Sequence, residues 1–323
     1  MKAYVVGADG PAITDVAQPR PGNGQVLVRV KAAALNRADL GMARGRAHGA
    51  RGGTGTVLGS ECAGEIVETG ANATSLKVGD RVMCSTTGAF AEYALTDHVR
   101  AYKIPDGFDF ARATTLPTSL STMHNAVVTE GALKPGQSVM IQGASSGVGL
   151  MAMQIAKLKG ASLVIGTSTD AGRRARLKEF GADLAVDPNA ADWVDQILAA
   201  TDGQGVDLIV DQVSGKYVND LMRATRLEGR IVNVGRLGGE RSEFNFDLHA
   251  LRRIKYIGVT FRTRTVEEIR AISEKVRADL WPAVVSGKLA LPIDQAFPFA
   301  QVADAFAHMA ANKHLGKIVL TFG

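Results

Sequence analysis

Apolar and polar residues alternate over Gln25-Val26-Leu27-Val28-Arg29-Val30, the period expected of a half-buried strand. Glu65-Ile66-Val67-Glu68 and Val78-Gly79-Asp80-Arg81-Val82-Met83 repeat the pattern, with Gly, Pro and Asn between the runs. Residues 1–118 therefore read as a β-rich, barrel-like unit. From 119 to 263 apolar runs alternate with amphipathic stretches. The expected strands are Ser138–Gln142, Leu163–Thr167, Leu184–Val186, Asp207–Asp211, Arg230–Val234 and Ile257–Phe261, with helices such as Leu150–Lys159 and Arg173–Phe180 between them. Strands buried on both faces and separated by helices predict a doubly wound parallel sheet. After residue 263 the pattern is mixed, and a strand at Lys317–Phe322 is expected to rejoin the first domain, which would make the α/β domain an insertion. No repeat of solenoid period interrupts this reading.

Composition narrows the function classes. Hydrophobic residues are 46% and charged residues 21% of the 323, a globular balance that excludes wholesale disorder. Glycine is over-used, 36 residues or about 11% against a usual share of roughly 7%, without a collagen period. Aromatics at 6% are too few for a single-strand stacking platform, and a net charge of +5 is far from a nucleic-acid footprint. No run approaches the 18 or so apolar residues of a membrane span. The opening Met1-Lys2-Ala3-Tyr4-Val5-Val6-Gly7 is too short an apolar run for a secretory signal. Cys62 and Cys84 cannot build a disulfide framework and read as reduced, buried thiols. A soluble, cytoplasmic protein with no nucleic-acid or membrane partner is expected.

The clearest chemical signal is Gly143-Ala144-Ser145-Ser146-Gly147-Val148-Gly149, after an expected strand and opening an expected helix. Small residues there let the backbone approach a pyrophosphate, whose charge meets the N–H groups and dipole of the helix start. Ala144 and Ser146 replace the first two glycines of the dinucleotide fingerprint, but the turn heads a six-strand series, so Ser145, Ser146, Gly147 and Val148 are candidate cofactor contacts. No Gly-Lys-Ser/Thr follows, which excludes a Walker phosphate loop, and no Tyr-x-x-x-Lys pair exists to run short-chain dehydrogenase chemistry.

With these residues in view, the chain resembles the medium-chain dehydrogenase/reductase superfamily. Within it, the chain is similar to the zinc-independent quinone oxidoreductases of the zeta-crystallin type. The resemblance is carried by Asn36-Arg37-Ala38-Asp39-Leu40, Leu58-Gly59-Ser60-Glu61-Cys62-Ala63-Gly64 and Val78-Gly79-Asp80-Arg81-Val82. It continues through Gly88-Ala89-Phe90-Ala91-Glu92-Tyr93, Leu133-Lys134-Pro135-Gly136 and Phe261-Arg262-Thr263-Arg264, and closes at Asn312-Lys313-His314-Leu315-Gly316-Lys317-Ile318-Val319. It implies a GroES-like β-rich catalytic domain at 1–118 and 264–323, and a Rossmann NADPH-binding domain with a six-stranded parallel sheet at 119–263.

The resemblance also implies roles. Asn36 would lie near nicotinamide and substrate and donate to a quinone oxygen, unless it serves only as a turn residue bonding its own backbone. Asp39 is read as an anchor of that segment. Thr122 would meet the nicotinamide end, Val234, Gly235, Phe261 and Thr263 would set backbone groups against the carboxamide, and Asn312 joins the cofactor contacts. Aligning through Glu179-Phe180-Gly181-Ala182 puts Ser168 where NAD enzymes carry an acid, and Arg173 where NADPH-using relatives carry a Lys. That pairing predicts NADPH, with Asp170 close enough to intrude. Zinc alcohol dehydrogenases use a Cys and a Gly-His-Glu where this chain has Asn36 and Gly59-Ser60-Glu61, and two cysteines cannot supply a structural zinc lobe. No metal is expected.

Without a Lewis acid the acceptor must already be electrophilic, as a quinone or an α,β-unsaturated carbonyl is. The leading expectation is an NADPH-dependent quinone reductase; an enone or enoyl-thioester reductase and a non-catalytic NADPH-binding structural protein are the alternatives. The family's substrate-loop Tyr is replaced by Gly41 and Ala47. In the loop 41–59, Arg44, Arg46 and Arg51 either attract an acidic substrate or form a solvated surface, and His48 reads as a solvated histidine. The apolar last strand Ile257–Phe261 leaves an edge that predicts a homodimer.

Overall fold

The long strand Gln25–Ala34 buries nearly every apolar side chain it carries, and the first β-sheet is built around it. It pairs antiparallel with Glu61–Thr69, Tyr93–Asp97 and the C-terminal strand Lys317–Thr321. Glu61–Thr69 pairs in turn with Arg81–Ser85, which pairs with Ala101–Lys103. The computed structural model describes residues 1–49 and 51–323. It divides into two compact units: Met1–Thr118 with Phe261–Val285 and Ala290–Gly323, and Ser119–Thr260 with Ser286–Leu289. The first unit's core holds Val28, Val30, Leu35, Leu58, Phe90, Phe306 and Ile318.

The second unit contains a six-stranded parallel sheet of strands β1 (Ser138–Gln142), β2 (Leu163–Thr167), β3 (Leu184–Val186), β4 (Val206–Asp211), β5 (Thr225–Asn233) and β6 (Lys255–Gly258). Their order is β3-β2-β1-β4-β5-β6, the doubly wound arrangement whose direction reverses between β1 and β4. Val139, Met140, Ile141, Leu208, Ile209 and Val210 are all fully buried, as strands covered on both faces require. Helix α1 (Gly147–Leu158) follows β1, and α2 (Ala171–Arg176) follows β2. Among the described residues no helix is long and apolar enough to cross a membrane.

Several boundaries differ from the sequence expectation, and three of them have a local cause. Val78 is 60% exposed and belongs to a turn, not a strand. There the Asp80 carboxylate accepts from Lys77 N–H at 3.0 Å, the Asp80 N–H returns to the Lys77 carbonyl, and pairing starts only at Arg81. The expected strand Ile257–Phe261 is instead Lys255–Gly258. Its partner β5 ends at Asn233, opposite Gly258, so the ladder has nothing to bond beyond one further Val259 N–H. The stretch Arg173–Phe180 is α-helical only to Arg176 and then tightens to a 3₁₀ turn that ends on Gly181.

Candidate active site

Ser146 shapes the glycine turn. Its Oγ accepts the Gly149 N–H at 3.1 Å, capping α1, and donates to Gly143 O at 3.1 Å and to Gln212 Oε1 at 2.9 Å. Gly143 N–H donates to Thr167 Oγ1, and Thr167 Oγ1 donates to Gln142 Oε1 at 2.7 Å. A Cβ at Gly149 would sit 2.7 Å from Ala144 Cα, so only glycine lets the helix start close against the strand end. Gly147 and Val148 open the helix, and their N–H groups are among the first-turn donors that no helical carbonyl reaches. Among the described residues, the buried Gln142 Nε2 and Gln212 Nε2 also lack an acceptor. They stand where β1 and β4 end, at the reversal of strand order, where open α/β sheets bind their ligands. An orphaned buried donor costs about 1–3 kcal/mol, which a ligand acceptor removes.

Ser168, at the end of β2, is 4% exposed, and its hydroxyl donates to Ser145 Oγ at 3.2 Å. The Asp170 carboxylate caps α2, accepting Arg173 N–H at 2.8 Å, and that bond holds its pKa below the usual range. Arg173 Nε lies 3.6 Å from the same carboxylate. The next residue, Arg174, touches Ser168: its Nη1 donates to the Ser168 carbonyl at 2.8 Å and to Asp187 Oδ2 at 3.1 Å.

Toward the other end of the sheet, Val234 and Gly235 follow β5. Both their N–H groups donate to the Asp211 carbonyl, at 2.7 and 3.2 Å, so these amides are committed within the protein. The Gly235 carbonyl accepts from Ser214 Oγ at 2.8 Å. Asp211 is fully buried, and burial raises its pKa against bonds from the Ser214 and Val213 N–H groups. Thr122 lies half-buried on the helix Pro117–Met123, which passes into a π-helical turn at His124–Thr129.

In the first unit the Asn36 side chain is bonded at both of its ends. Its Nδ2 donates to Glu61 Oε1 at 2.9 Å, and its Oδ1 accepts from Lys317 Nζ at 2.9 Å. Lys317 Nζ also meets Glu61 Oε1 at 2.5 Å, and the second Glu61 oxygen accepts Thr118 N–H at 2.8 Å. Glu61 is 0% and Lys317 4% exposed, so this is a buried ion pair with the Asn36 amide bridging it. One Nδ2 hydrogen of Asn36 is thereby held on Glu61, and the other has only a long 3.5 Å contact to the Ala34 carbonyl. Asp39 anchors the segment as read: its Oδ2 accepts Asn36 N–H at 2.7 Å and its Oδ1 accepts from Ser60 Oγ at 3.1 Å. Burial pushes its pKa up to about 6.

Asn312, offered as a cofactor contact, has its Oδ1 bonded by Arg37 Nη2 at 2.7 Å, and Arg37 Nη1 also reaches the Met309 carbonyl. Phe261 and Thr263 group with the first unit, and the Arg264 guanidinium lies 5.9 Å from the Phe261 ring centre. The two thiols are buried with their sulfurs 3.6 Å apart. The sequence reading missed Lys317 as a site residue, because a lysine opening a strand ordinarily snorkels to solvent. Its one local signal is the run Ile318-Val319-Leu320 behind it, which is fully buried.

The alcohol dehydrogenase GroES-like domain model matches residues 22–106, and the zinc-binding dehydrogenase model matches residues 147–277. The chain is 31% identical over 313 residues to a phenolphthiocerol/phthiocerol polyketide synthase of Mycobacterium tuberculosis; the match spans 97% of the chain but only 14% of that much longer relative. It is 29% identical over 310 residues to the quinone oxidoreductase of Homo sapiens, covering 95% of the chain and 92% of the relative. A solved structure described as a "probable oxidoreductase" from Mycobacterium abscessus is 30% identical, with a TM-score of 0.85 and coverage of 99% and 98%. Both domain models and the full-length likeness show that the chain belongs to the medium-chain dehydrogenase/reductase family, of the quinone oxidoreductase type.

Proposed function

We propose that the protein is a zinc-independent, NADPH-dependent reductase that transfers hydride to a quinone. The observation that carries this reading is the position of the Lys317 ammonium. Asn36, Ser60 and Glu61 align with the family's zinc-ligand positions, and Lys317 Nζ lies 2.9 Å from Asn36 and 2.5 Å from Glu61. A cation already neutralises the one carboxylate of that set, and neither Asn nor Ser is a good zinc donor, so these residues do not fit a zinc ion. The acceptor must then be electrophilic without a Lewis acid, and its reduced form a weak base. A hydroquinone oxygen, with a pKa near that of a phenol, about 10, meets both conditions.

The residues of the second unit fit a phosphorylated dinucleotide. NADPH, when bound, supplies the hydride. The N–H groups of Gly147 and Val148 and the hydroxyl of Ser145 are the groups to hold its pyrophosphate, with Ser146 shaping the turn as the cap of α1. The unsatisfied amides of Gln142 and Gln212, at the ends of β1 and β4, are further donors beside that turn. Ser168 and Arg173 would hold the 2′-phosphate, with Arg173 turning from Asp170, 3.6 Å away and still charged, toward the phosphate. Thr122 remains the candidate for the nicotinamide end, and the Asn36–Glu61–Lys317 node keeps the substrate-side segment rigid. The test is NADPH oxidation with 1,4-benzoquinone, 1,4-naphthoquinone, an enone and a saturated ketone, before and after dialysis against a strong chelator. Quinones should turn over fastest, the saturated ketone not at all, and chelation should leave rates unchanged; a chelator-sensitive rate restored by zinc overturns the reading.

An enone or enoyl-thioester acceptor is the second reading, favoured by the likeness to a segment of a polyketide synthase. Hydride would land on carbon and a delocalised enolate would be protonated, which also needs no metal. The same panel separates the two, by whether the enone outpaces both quinones.

A homodimer through the open edge of β6 is also proposed. Beside that edge lie Phe246, 77% exposed, and Leu251, 69% exposed, on the helix Phe246–Arg252. Phe244 joins Phe246 to Tyr256 of β6, with ring centres 5.0 and 6.0 Å away. An exposed apolar patch along an unpaired strand edge is a surface proteins cover, and two-fold pairing closes it. Sedimentation at micromolar concentration should find twice 34.0 kDa, and Phe246→Glu with Leu251→Arg should return a monomer. A wild-type monomer refutes the proposal.

A further inference from the structure

Glu61, Lys317 and Asn36 close a three-sided ring. Lys317 Nζ meets Glu61 Oε1 at 2.5 Å and Asn36 Oδ1 at 2.9 Å, and Asn36 Nδ2 donates to the same Glu61 Oε1 at 2.9 Å. The ring fixes which way the carboxamide faces. Turned over, it would set its oxygen against the carboxylate and its NH2 group against the ammonium. The backbone is pinned as well, since Asn36 N–H donates to Asp39 Oδ2 at 2.7 Å. One Nδ2 hydrogen is left over. Its acceptor, the Ala34 carbonyl, lies 3.5 Å away, at the limit of a hydrogen bond.

The members of the ring differ in access. Glu61 and Lys317 are buried, whereas Asn36 is half-buried. A ligand can therefore reach the amide but not the ions behind it. All three residues belong to the first unit, so the ring is complete within one compact body. Stability alone is a poor reason to keep such a pair, because the cost of desolvating two ions offsets most of their attraction.

The ring also changes the amide electronically. An ammonium on the oxygen of a carboxamide draws the nitrogen lone pair toward the carbonyl and leaves the N–H groups more positive. The effect is strongest where water is excluded and bonded dipoles polarise one another. The Glu61 charge opposes it. That charge, however, is shared among the Lys317 ammonium, the Thr118 N–H at 2.8 Å and one Asn36 N–H.

We propose that Lys317 and Glu61 are positioning residues for the reaction: they aim and polarise the Asn36 carboxamide so that its remaining N–H donates to the carbonyl oxygen of the acceptor. The inference deepens the reading of the chain as a quinone reductase and rests on it for the identity of that acceptor. As hydride adds to the acceptor, the carbonyl electron pair moves onto oxygen, and the aimed N–H meets the developing charge. Asn36 gives up no proton; water supplies the one that completes the hydroquinone. An amide backed by an ammonium thus stands as the electrophilic contact in a set of residues that does not fit zinc.

The experiment compares wild type with Asn36→Leu and with the double variant Glu61→Gln/Lys317→Met. The double variant removes both charges together, so no stranded ion confounds rate with stability, and it leaves the amide in place. Each protein is loaded with NADP⁺, which has no hydride to give, and titrated with 4-(dimethylamino)cinnamaldehyde. This enal absorbs at longer wavelength as charge is drawn to its carbonyl oxygen. Turnover of 1,4-benzoquinone with NADPH is followed on the same three proteins. The bound probe should absorb at longer wavelength on wild type than on either variant. With the donor gone, kcat should fall by about 100-fold or more in Asn36→Leu. In the double variant, which keeps the donor unaimed and unpolarised, it should fall by about tenfold. The dissociation constant of NADPH should stay unchanged in both. A folded double variant that keeps the wild-type kcat and probe spectrum shows that the ion pair only braces the fold, and overturns the proposal. So does a wild type on which the probe absorbs no further to the red than on Asn36→Leu. A red shift that both variants lose, on a wild type that turns over no quinone, instead overturns the quinone reading and leaves the proposal standing.

Discussion

Replacing Lys317 by methionine is expected to lower the unfolding free energy by about 3–5 kcal/mol, the cost of leaving a buried charge without its partner. Glu61 is wholly enclosed, and without Lys317 Nζ its remaining partners are the Asn36 amide and the Thr118 N–H. Neither carries charge. Glu61→Gln should also destabilise, because it strands the ammonium in turn. The double variant Glu61→Gln/Lys317→Met removes both charges and should recover much of the loss, since a neutral pair of similar volume needs no desolvation of ions. Urea unfolding of the four proteins, with the coupling taken from the cycle, decides it. A single Lys317→Met variant within 1 kcal/mol of wild type would mean that water already reaches this pair.

Arg173→Ala should reduce NADPH affinity by about 10- to 150-fold, the equivalent of about 1.5–3 kcal/mol for one charge-assisted bond, and leave NADH affinity unchanged. The geometry supplies a control that the sequence did not. Arg174 is tied to the Ser168 carbonyl and to Asp187, so it braces the end of β2. Arg174→Ala should therefore weaken both cofactors by similar factors. Measured dissociation constants for the two cofactors on the two variants separate a phosphate contact from a brace. If Arg173→Ala leaves the NADPH-to-NADH ratio untouched while Arg174→Ala changes it, the phosphate site has been assigned to the wrong arginine.

What could be read directly from the chain is what neighbouring residues decide among themselves. The alternation in Gln25–Val30 and the apolar runs of the second unit fix which faces are buried, because a strand's side chains alternate with the backbone pleat. The glycine turn was legible because its capping hydroxyl, Ser146, and the amide it caps, Gly149, are three residues apart. Boundaries were less legible: the end of β6 is set by where β5 stops, a fact held by another strand.

Only the tertiary structure could decide the substrate-side node. Asn36 meets Glu61 across 25 residues, and Lys317 meets Glu61 across 256. They meet because Lys317–Thr321 and Glu61–Thr69 lie on either side of the same strand, Gln25–Ala34. A strand-opening lysine and a motif glutamate carry no local mark of that pairing. Asn312 shows the same limit, since its side chain answers to Arg37 through a bond spanning 275 residues. Periodicity reports which face of an element is buried. Which charged groups share that burial depends on strand order and register, which the whole chain sets together.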